Sequence, residues 1–368
     1  MIFKDQLQDI KDKGLFRVLR NIDKKVLNFC SNDYLGLSQD PRILQGSIAA
    51  IEKYGAGSGS ARLVAGTSDL TEELEEKLAV WKGVDACLLF NSGYHANIGV
   101  IPALVGEGDM IFSDELNHAS IVDGCRLSKA EKIIYQHHDM GHLEELLKKS
   151  SLPSRERVAK GRVRVIITES VFSMEGDLAP LDELKELAEK YGALLYVDEA
   201  HAVGVFGENG EGRVGKNPPD YMITMGTLGK AFGSYGAFVS GPKSLREFLI
   251  NKARSFIFST FLPPSVLGAS LASLKIISTE PELRKKLWEN IQFVQKNICP
   301  DQGQSPIFSI RVGEARKTME ISEKLLKEGI YIQGIRPPTV PEGTSRLRLT
   351  VSASYTREDL EKLADKMK

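Results

Sequence analysis

The sequence has few cysteines, no excess of charge of either sign and no long apolar run. Its four cysteines are Cys30, Cys87, Cys125 and Cys299. They form no C-x-x-C pair and fit no zinc-ligand spacing. Disulfide frameworks and structural zinc sites are therefore not expected, and we interpret the cysteines as reduced thiols of a cytoplasmic protein.

Charge and hydropathy argue against nucleic-acid-binding, secreted and membrane-spanning classes of protein. Forty-eight lysines and arginines face 49 acidic residues, which leaves a net charge of -1. This balance favours neither nucleic acid nor an anionic membrane as a partner. The first residues are charged from residue 4 onward, so no signal peptide is predicted. The longest apolar runs, such as 193–197, are too short to cross a bilayer.

What is present is the composition of an ordinary soluble globular protein of 368 residues, long enough for two domains. Amphipathic helical patterns alternate with short apolar strand patterns. They occupy 70–81, 86–90, 163–168, 181–191, 193–197 and 221–224. This alternation predicts an α/β fold with a mostly parallel sheet, and polar residues follow the strand ends, where such sheets bind ligands.

The pattern changes near residue 278. Helices are predicted over 280–296, 317–329 and 356–367, and strands over 305–312 and 346–351. We therefore predict an N-terminal segment (1–36), a large domain (37–277) and a smaller α+β domain (278–368).

The strongest chemical signal is the order Asp198, His201, Lys230. Asp198 ends an apolar strand, where a carboxylate requires a cation or a donor, and a protonated pyridine nitrogen would be one. Lys230 lies among small residues in the Gly-rich stretch 226–233, where an amine can approach a carbonyl and form an imine. Thr227 could offer a hydroxyl to a phosphate. Each residue alone is better explained as a cap, a packed histidine or a solvated lysine; their order argues against coincidence.

Two weaker signals accompany it. The stretch Asn91-Ser-Gly-Tyr94 stands between a strand and a helix, and amides at a helix N-terminus bind phosphate. The bare motif is more often only a strand-to-helix turn. His118 also follows a strand. It would have a functional role only if it faces the pyridine ring proposed as the partner of Asp198.

Several stretches together resemble the α-oxoamine synthases, a branch of the fold-type I pyridoxal-phosphate enzymes. They are SNDYLGLS (31–38), GSGSARLVAGT (57–67), NSGYHAN (91–97), NHASIVDG (117–124), ESVFSMEGDLAPL (169–181), VDEAHAVGVFGENGEGR (197–213), GTLGKAFGSYGAFVSG (226–241) and FSTFLPP (258–264). The resemblance implies a fold-type I transferase, with a large domain of mostly parallel sheet flanked by helices and a smaller α+β domain. The implied cofactor is pyridoxal 5'-phosphate.

By this resemblance, Lys230 is the Schiff-base lysine and Asp198 pairs with the pyridine nitrogen. His201 contacts the ring oxygen, and His118 stacks on the ring and meets the substrate.

Further cofactor contacts are implied for Ser173 and Thr227, and phosphate-binding amides for Gly93 and Tyr94. Thr260 is expected to reach the phosphate of a neighbouring subunit, since members of the family are homodimers with shared sites.

The resemblance also implies substrate contacts. Arg348, in a V-P-x-G-T-x-R-L-R stretch, would bind the amino-acid carboxylate, with Asn32 nearby. Thr339 and Arg17 would also contact substrate. The preceding I-R-P-P-T (335–339) favours the branch that condenses L-alanine with pimeloyl-CoA or a pimeloyl-acyl carrier protein. A sister branch that uses glycine and acetyl-CoA is the alternative.

Three other interpretations are weaker. Asp198-Glu-Ala-His201 has the letters of a helicase motif, but no G-x-x-x-x-G-K-[ST] phosphate loop accompanies it. His137, His138 and His142 could suggest a metal, since His138 and His142 are spaced for one helix face, yet Asp139 resembles a helix cap and we predict no metal. A non-catalytic subunit would have lost Lys230.

Overall fold

The computed structural model describes residues 2–150 and 162–367. Its helices are α1 (Ile2–Asp12), α2 (Pro41–Tyr54), α3 (Asp69–Lys82), α4 (Gly93–Leu104), α5 (Ala119–Leu127), α6 (Met140–Lys149), α7 (Leu181–Tyr191), α8 (Lys243–Lys252), α9 (Arg254–Ile257), α10 (Pro264–Thr279), α11 (Pro281–Asn297), α12 (Ala315–Lys327) and α13 (Arg357–Met367). Its strands are β1 (Leu27–Asn28), β2 (Ala86–Phe90), β3 (Met110–Asp114), β4 (Glu131–Tyr135), β5 (Arg164–Glu169), β6 (Leu194–Asp198), β7 (Met222–Thr227), β8 (Ala237–Gly241), β9 (Ile307–Gly313), β10 (Ile330–Tyr331), β11 (Gln333–Ile335) and β12 (Ser345–Thr350).

The chain divides into two compact units. The large unit comprises Leu35–Phe172 and Leu178–Arg284, and the small unit comprises Met1–Tyr34, Ser173–Asp177 and Lys285–Lys368. The short insertion Ser173–Asp177 belongs to the small unit, where the Ser305 hydroxyl donates to the Gly176 carbonyl at 2.7 Å. The domain boundaries inferred from the sequence, after residues 36 and 277, stay predictions.

The large unit contains a seven-stranded sheet in the order β2-β8-β7-β6-β5-β3-β4. The pairs from β7 through β4 are parallel, whereas β8 runs antiparallel to both of its neighbours. The predicted mostly parallel sheet is thereby confirmed. The central strands are buried along their whole length, which explains why their sequences are continuous apolar runs rather than alternating ones.

Helices cover the two faces of this sheet with separate apolar cores. Val165 and Ile167 of β5 pack in one core, while Ile166 between them packs in the other. The period of two along a strand requires this division. The first core includes Val100 of α4, and the second includes Leu184 of α7.

The small unit has a three-stranded antiparallel sheet in the order β11-β12-β9 and a separate parallel pair, β1 with β10. Helix α13 buries Leu360, Leu363 and Ala364, which share one helix face. The register of β11 with β12 places Gln333 opposite Arg348.

Several predicted elements are confirmed, and others are corrected at their ends. The helices over 70–81 and 181–191 and the strand over 86–90 are present as α3, α7 and β2. Helix α4 begins at Gly93, inside the stretch 91–94 that was expected to precede the helix, because the Ser92 side chain caps it by accepting from the His95 amide. Strand β7 continues to Thr227, beyond the predicted end at 224, because its ladder with β8 continues there.

Among the residues that the structure describes, no helix combines the length and apolar character that crossing a membrane requires.

Candidate active site

Asp198 is the last residue of β6, and Thr227 is the last residue of the neighbouring β7. Both strands are parallel, so both side chains lie at the carboxyl edge of the sheet. Asp198 is buried, and its Oδ1 accepts from the Ala200 amide at 2.9 Å. Its Oδ2 accepts from Nδ2 of Asn97, also at 2.9 Å. These two donors hold the carboxylate in place at the end of the strand.

Lys230 and His201 are brought together in the large unit. Nζ of Lys230 lies 2.7 Å from Nε2 of His201. The turn that carries Lys230 closes through a hydrogen bond from the Gly233 amide to the Lys230 carbonyl at 2.8 Å. Gly233 has φ +61°, and a Cβ atom there would lie 2.3 Å from the backbone nitrogen of Ser38. A glycine is therefore required at this position to hold the lysine turn in place.

His118 is the N-cap residue of α5, and its Nδ1 lies 2.7 Å from the Ser120 hydroxyl oxygen. Burial lowers the pKa of His118 below its usual value, the nearby Asp198 carboxylate opposes this shift, and Lys230 adds to it. The ring is therefore neutral near pH 7, which suits contact with an aromatic face.

The N-terminus of α4 presents Gly93 and Tyr94. The Tyr94 ring is exposed and its hydroxyl donates to Asp123. The preceding Asn91 donates through Nδ2 to the Ser259 hydroxyl at 2.8 Å and to the Thr260 carbonyl at 2.7 Å. The helix N-terminus and the Thr260 segment are thus tied together, and the amides of the first turn suit an anion.

Thr227 also holds the backbone that follows β7. Its hydroxyl donates to the Gly236 carbonyl at 3.0 Å and accepts from the Gly229 amide at 3.2 Å. The side chain therefore closes the turn that leads from β7 to Lys230.

The small unit places three other predicted residues together. Nε of Arg348 donates to the Ser173 carbonyl at 2.6 Å, and its Nη2 donates to Oδ1 of Asn32 at 3.2 Å. Arg348 is buried, and no carboxylate of the described residues lies within ion-pair distance of it. The neighbouring Arg346, in contrast, is paired with Glu175. A buried guanidinium without a counter-ion suits a carboxylate ligand.

A cavity of about 370 Å³ in the small unit contains the last two predicted residues. Nη2 of Arg17 donates to the Thr339 hydroxyl at 3.0 Å. Arg20 and Arg336 also line the cavity, and Arg20 pairs with Glu323.

Arg336 is 7% exposed and donates through Nη2 to the Phe16 carbonyl at 2.5 Å. Its Nε has no hydrogen-bond partner among the described residues. Burial, followed by the charges of Arg17 and Arg20, lowers the pKa of Arg336. The cavity is therefore positively charged, and it contains a donor that an anion could satisfy.

Sequence reasoning missed Asn97, Ser120, Tyr196 and Arg336. Asn97 had a usable signal, because it is a polar residue on the buried face of an otherwise apolar helix, α4. Arg336 belongs to the I-R-P-P-T stretch (335–339), which indicated a branch of the family but not the burial of this arginine.

Within the histidine cluster, His142 belongs to the start of a helix. Asp139 caps α6 and accepts from the His142 amide at 2.8 Å, which confirms the predicted cap. His138 and His142 do not share a helix face, because α6 begins at Met140 and His138, with φ +58°, precedes it.

The donor set of the large unit fits pyridoxal phosphate. It offers an amine that can form an imine, a buried carboxylate for a protonated ring nitrogen, a neutral imidazole and the amides of a helix N-terminus.

Comparison with known proteins agrees with this chemistry. The sequence model described as aminotransferase class I and II matches residues 24–367. The chain is 48% identical over 363 residues to a putative 8-amino-7-oxononanoate synthase of Aquifex aeolicus, covering 97% of this chain and 95% of the relative. It is 46% identical to the 8-amino-7-oxononanoate synthase of Symbiobacterium thermophilum, covering 97% and 94%.

Solved structures agree as well. A variant of serine palmitoyltransferase from S. paucimobilis with bound PLP and myriocin superposes with a TM-score of 0.90 at 28% identity, covering 99% of this chain and 95% of that one. The 8-amino-7-oxononanoate synthase of Francisella tularensis superposes with a TM-score of 0.78 at 30% identity, covering 94% and 97%.

The fold and the residues at the edge of its sheet define a fold-type I transferase with pyridoxal phosphate as its cofactor. Within the class I and II aminotransferase family, the chain belongs to the 8-amino-7-oxononanoate synthases. It is accordingly a pyridoxal-phosphate-dependent acyltransferase of a family that serves biotin biosynthesis, and the resemblance inferred from the sequence is confirmed.

Proposed function

We propose that this enzyme condenses L-alanine with a pimeloyl thioester to give 8-amino-7-oxononanoate, carbon dioxide and the free thiol. The observation that carries this choice of acyl substrate is the arginine-lined cavity of the small unit. A pimeloyl chain ends in a free carboxylate, whereas an acetyl group does not. Arg17, Thr339 and Arg336 supply the cation and hydrogen-bond donors that such a carboxylate requires.

Arg348 is assigned to the carboxylate of L-alanine. Its planar guanidinium is buried and held by Ser173 and Asn32, so its orientation is set before the substrate binds. Bidentate recognition of a carboxylate uses this preorganised geometry.

The large unit is assigned the cofactor. Lys230 would bind it covalently, Asp198 would face the ring nitrogen, His118 the ring and His201 the ring oxygen. Gly93 and Tyr94 are assigned to the phosphate by their place at the start of α4.

Two polar contacts complete the assignment. Ser173 and Thr227 are proposed to contact the cofactor through their hydroxyls. When bound, pyridoxal phosphate supplies an electron sink for negative charge at the alanine α-carbon.

Lys230 then has two tasks. Its amine would hold the cofactor until alanine binds and, once free, would take the α-proton of alanine, a general-base role that requires an unprotonated amine. The α-carbon forms a bond to the thioester carbonyl carbon, and the carbon–sulfur bond breaks with release of the thiol. Loss of the alanine carboxyl group as carbon dioxide is followed by return of a proton to the same carbon.

A homodimer is proposed on the evidence of one exposed surface. Leu63, Val64 and Phe258 are exposed near Thr260, which pairs with Ala61 in a β-bridge. Apolar side chains clustered in this way favour a protein partner, and a second copy would bring Thr260 to a neighbouring phosphate site. Light scattering should give twice the chain mass.

We place the enzyme in the cytoplasm, where its four free cysteines would stay reduced.

The direct test follows thiol release and product mass with the purified enzyme and pyridoxal phosphate. Pimeloyl-CoA with L-alanine should release thiol and give the mass of 8-amino-7-oxononanoate. Parallel reactions with pimeloyl-acyl carrier protein identify the preferred carrier. Release with glycine and acetyl-CoA, but not with alanine and pimeloyl-CoA, would refute the proposal.

The arginine cavity is tested by Arg336→Gln, assayed with pimeloyl-CoA and with heptanoyl-CoA, which carries a methyl group in place of the carboxylate. We expect kcat/KM for pimeloyl-CoA to fall by about 100-fold, mainly through KM, because a charged partner is lost. The heptanoyl reaction should change little. Arg311→Gln removes an exposed arginine of the same unit and is the matched control. An equal loss with both acyl chains would contradict the assignment.

A further inference from the structure

Asn97 lies inside α4, is 1% exposed, and uses both ends of its side-chain amide. Nδ2 donates to Oδ2 of Asp198 and to the Ser120 hydroxyl oxygen, each at 2.9 Å. Oδ1 accepts from the Tyr196 hydroxyl at 2.7 Å. Three polar side chains, two from β6 and one from α5, therefore meet at one buried amide.

The orientation of this amide is determined by its partners. An ionised carboxylate only accepts hydrogen bonds, so the nitrogen of Asn97 must face Asp198. The reversed amide would place two acceptor oxygens against each other in a buried site, which is unfavourable.

The hydrogen-bonded chain continues to His118. The Ser120 hydroxyl accepts from Asn97, so its own proton is directed to Nδ1 of His118, at 2.7 Å. The Ser120 backbone amide also donates to Nδ1, at 3.2 Å. An imidazole nitrogen that accepts from these donors carries no proton, so the proton of the neutral ring is on Nε2.

The packing of α4 against α5 makes this chain possible. A Cβ atom at Gly124 of α5 would lie 2.6 Å from the Asn97 carbonyl oxygen. Glycine allows the close approach that brings Ser120, on the same helix, within reach of Asn97.

We propose that Asn97 is a positioning residue that couples Asp198 to His118 and fixes His118 as the Nε2–H tautomer. The importance of this coupling for catalysis rests on the proposed function, which assigns Asp198 and His118 to the cofactor ring. One buried amide then aligns the carboxylate and the imidazole together, and His118 presents an N–H donor at Nε2 rather than a lone pair.

The tautomer can be read without substrate or turnover. The holoenzyme is labelled with ¹⁵N-histidine, and the His118 signals are assigned by their loss in His118→Gln. The wild type should show an unprotonated Nδ1 and a protonated Nε2. Asn97→Leu keeps the branch at the γ carbon but removes the donors, and we expect it to give a mixture of both tautomers.

A second measurement is the affinity for pyridoxal phosphate, determined by equilibrium dialysis together with the absorption spectrum. In Asn97→Leu, Asp198 loses a hydrogen bond to its charged form, so we expect the dissociation constant to rise by about 10-fold or more and the absorption band to shift. Asn290→Leu is the matched control. Asn290 is a buried asparagine of the small unit whose Nδ2 donates to the Ser352 and Tyr355 carbonyls, and its loss should change stability alone.

The proposal is overturned if Asn97→Leu keeps the wild-type tautomer, or if its affinity and spectrum match those of Asn290→Leu. Should Asn97→Leu fail to fold, Ser120→Ala removes only the link to His118. An unchanged tautomer population in Ser120→Ala then overturns the proposal. Because these readouts need no acyl substrate, they are independent of whether the condensation assay succeeds.

Discussion

Nζ of Lys230 lies 2.7 Å from Nε2 of His201, within hydrogen-bonding distance. A lysine that binds the cofactor covalently must move away from His201. Substitutions of Lys230 and of His201 should therefore have different effects. We expect Lys230→Ala to abolish borohydride fixation of pyridoxal phosphate and to lower kcat by about 10⁴-fold or more, since nucleophile and base are both lost.

His201→Gln should retain fixation on Lys230, with a shifted absorption band. Peptide mass mapping after reduction identifies the modified residue. Fixation that persists in Lys230→Ala would show that another amine carries the cofactor.

Gly233 is expected to be far less tolerant of substitution than Gly192. Both have positive φ, +61° and +58°, but a Cβ atom at Gly233 would meet Ser38 at 2.3 Å, whereas none lies within 4 Å at Gly192. Gly192→Ala should cost about 1 kcal/mol of unfolding free energy. Gly233→Ala should cost about 3 kcal/mol, because a backbone collision is added, and should weaken cofactor binding through the Lys230 turn. Thermal denaturation and dialysis measure both effects, and equal costs would contradict the reasoning.

The buried ion pair of Lys82 with Glu199 is expected to be a coupled unit. Nζ of Lys82 lies 2.6 Å from Oε2 of Glu199 and also donates to the Glu211 carbonyl at 2.6 Å. Neither side chain of the pair is exposed. Glu199→Gln leaves a buried ammonium without its counter-ion and should cost about 3–5 kcal/mol.

The double variant Lys82→Met with Glu199→Leu should lose less than the sum of its single changes. Denaturant titration of the four proteins measures the difference. Additive losses would show that the charges do not interact.

His118 should make the stability of the enzyme depend on pH. Its pKa is lower in the folded protein than in the unfolded chain, so the unfolded chain binds more protons between the two values. The stabilisation is present above the unfolded value of about 6.5 and is lost as the pH falls below it, towards the folded value. Thermal denaturation between pH 8 and pH 5 should show a shallower decline for His118→Gln. Parallel curves would contradict this assignment.

Much of the fold was accessible from the sequence because the elements are marked by local chemistry. The apolar runs that became β5 and β6 and the amphipathic patterns of α3 and α7 each report burial on one or both faces. The start of α4 was misplaced because a serine cap can precede glycine and tyrosine, which are weak helix formers. The end of β7 depended on its pairing with β8, a contact that neighbouring residues do not encode.

The candidate site, like the fold, could be predicted from the sequence only in part. The order of Asp198, His201 and Lys230 within recognisable stretches indicated the cofactor chemistry, because residue type and spacing along the chain suffice for that inference. The partners of these residues were not accessible. Asn97 and Ser120 lie on different helices, and only the approach of α4 to α5 at Gly124 shows that they join Asp198 to His118.

The sequence by itself determined the α/β class and the family, since both depend on patterns along the chain. Tertiary structure alone decided that Arg348 lacks a counter-ion among the described residues while Arg346 has one, and that Arg336 is buried beside Arg17 and Arg20. The physical reason is that burial and charge compensation are properties of neighbours in space, and residues distant in sequence supply those neighbours.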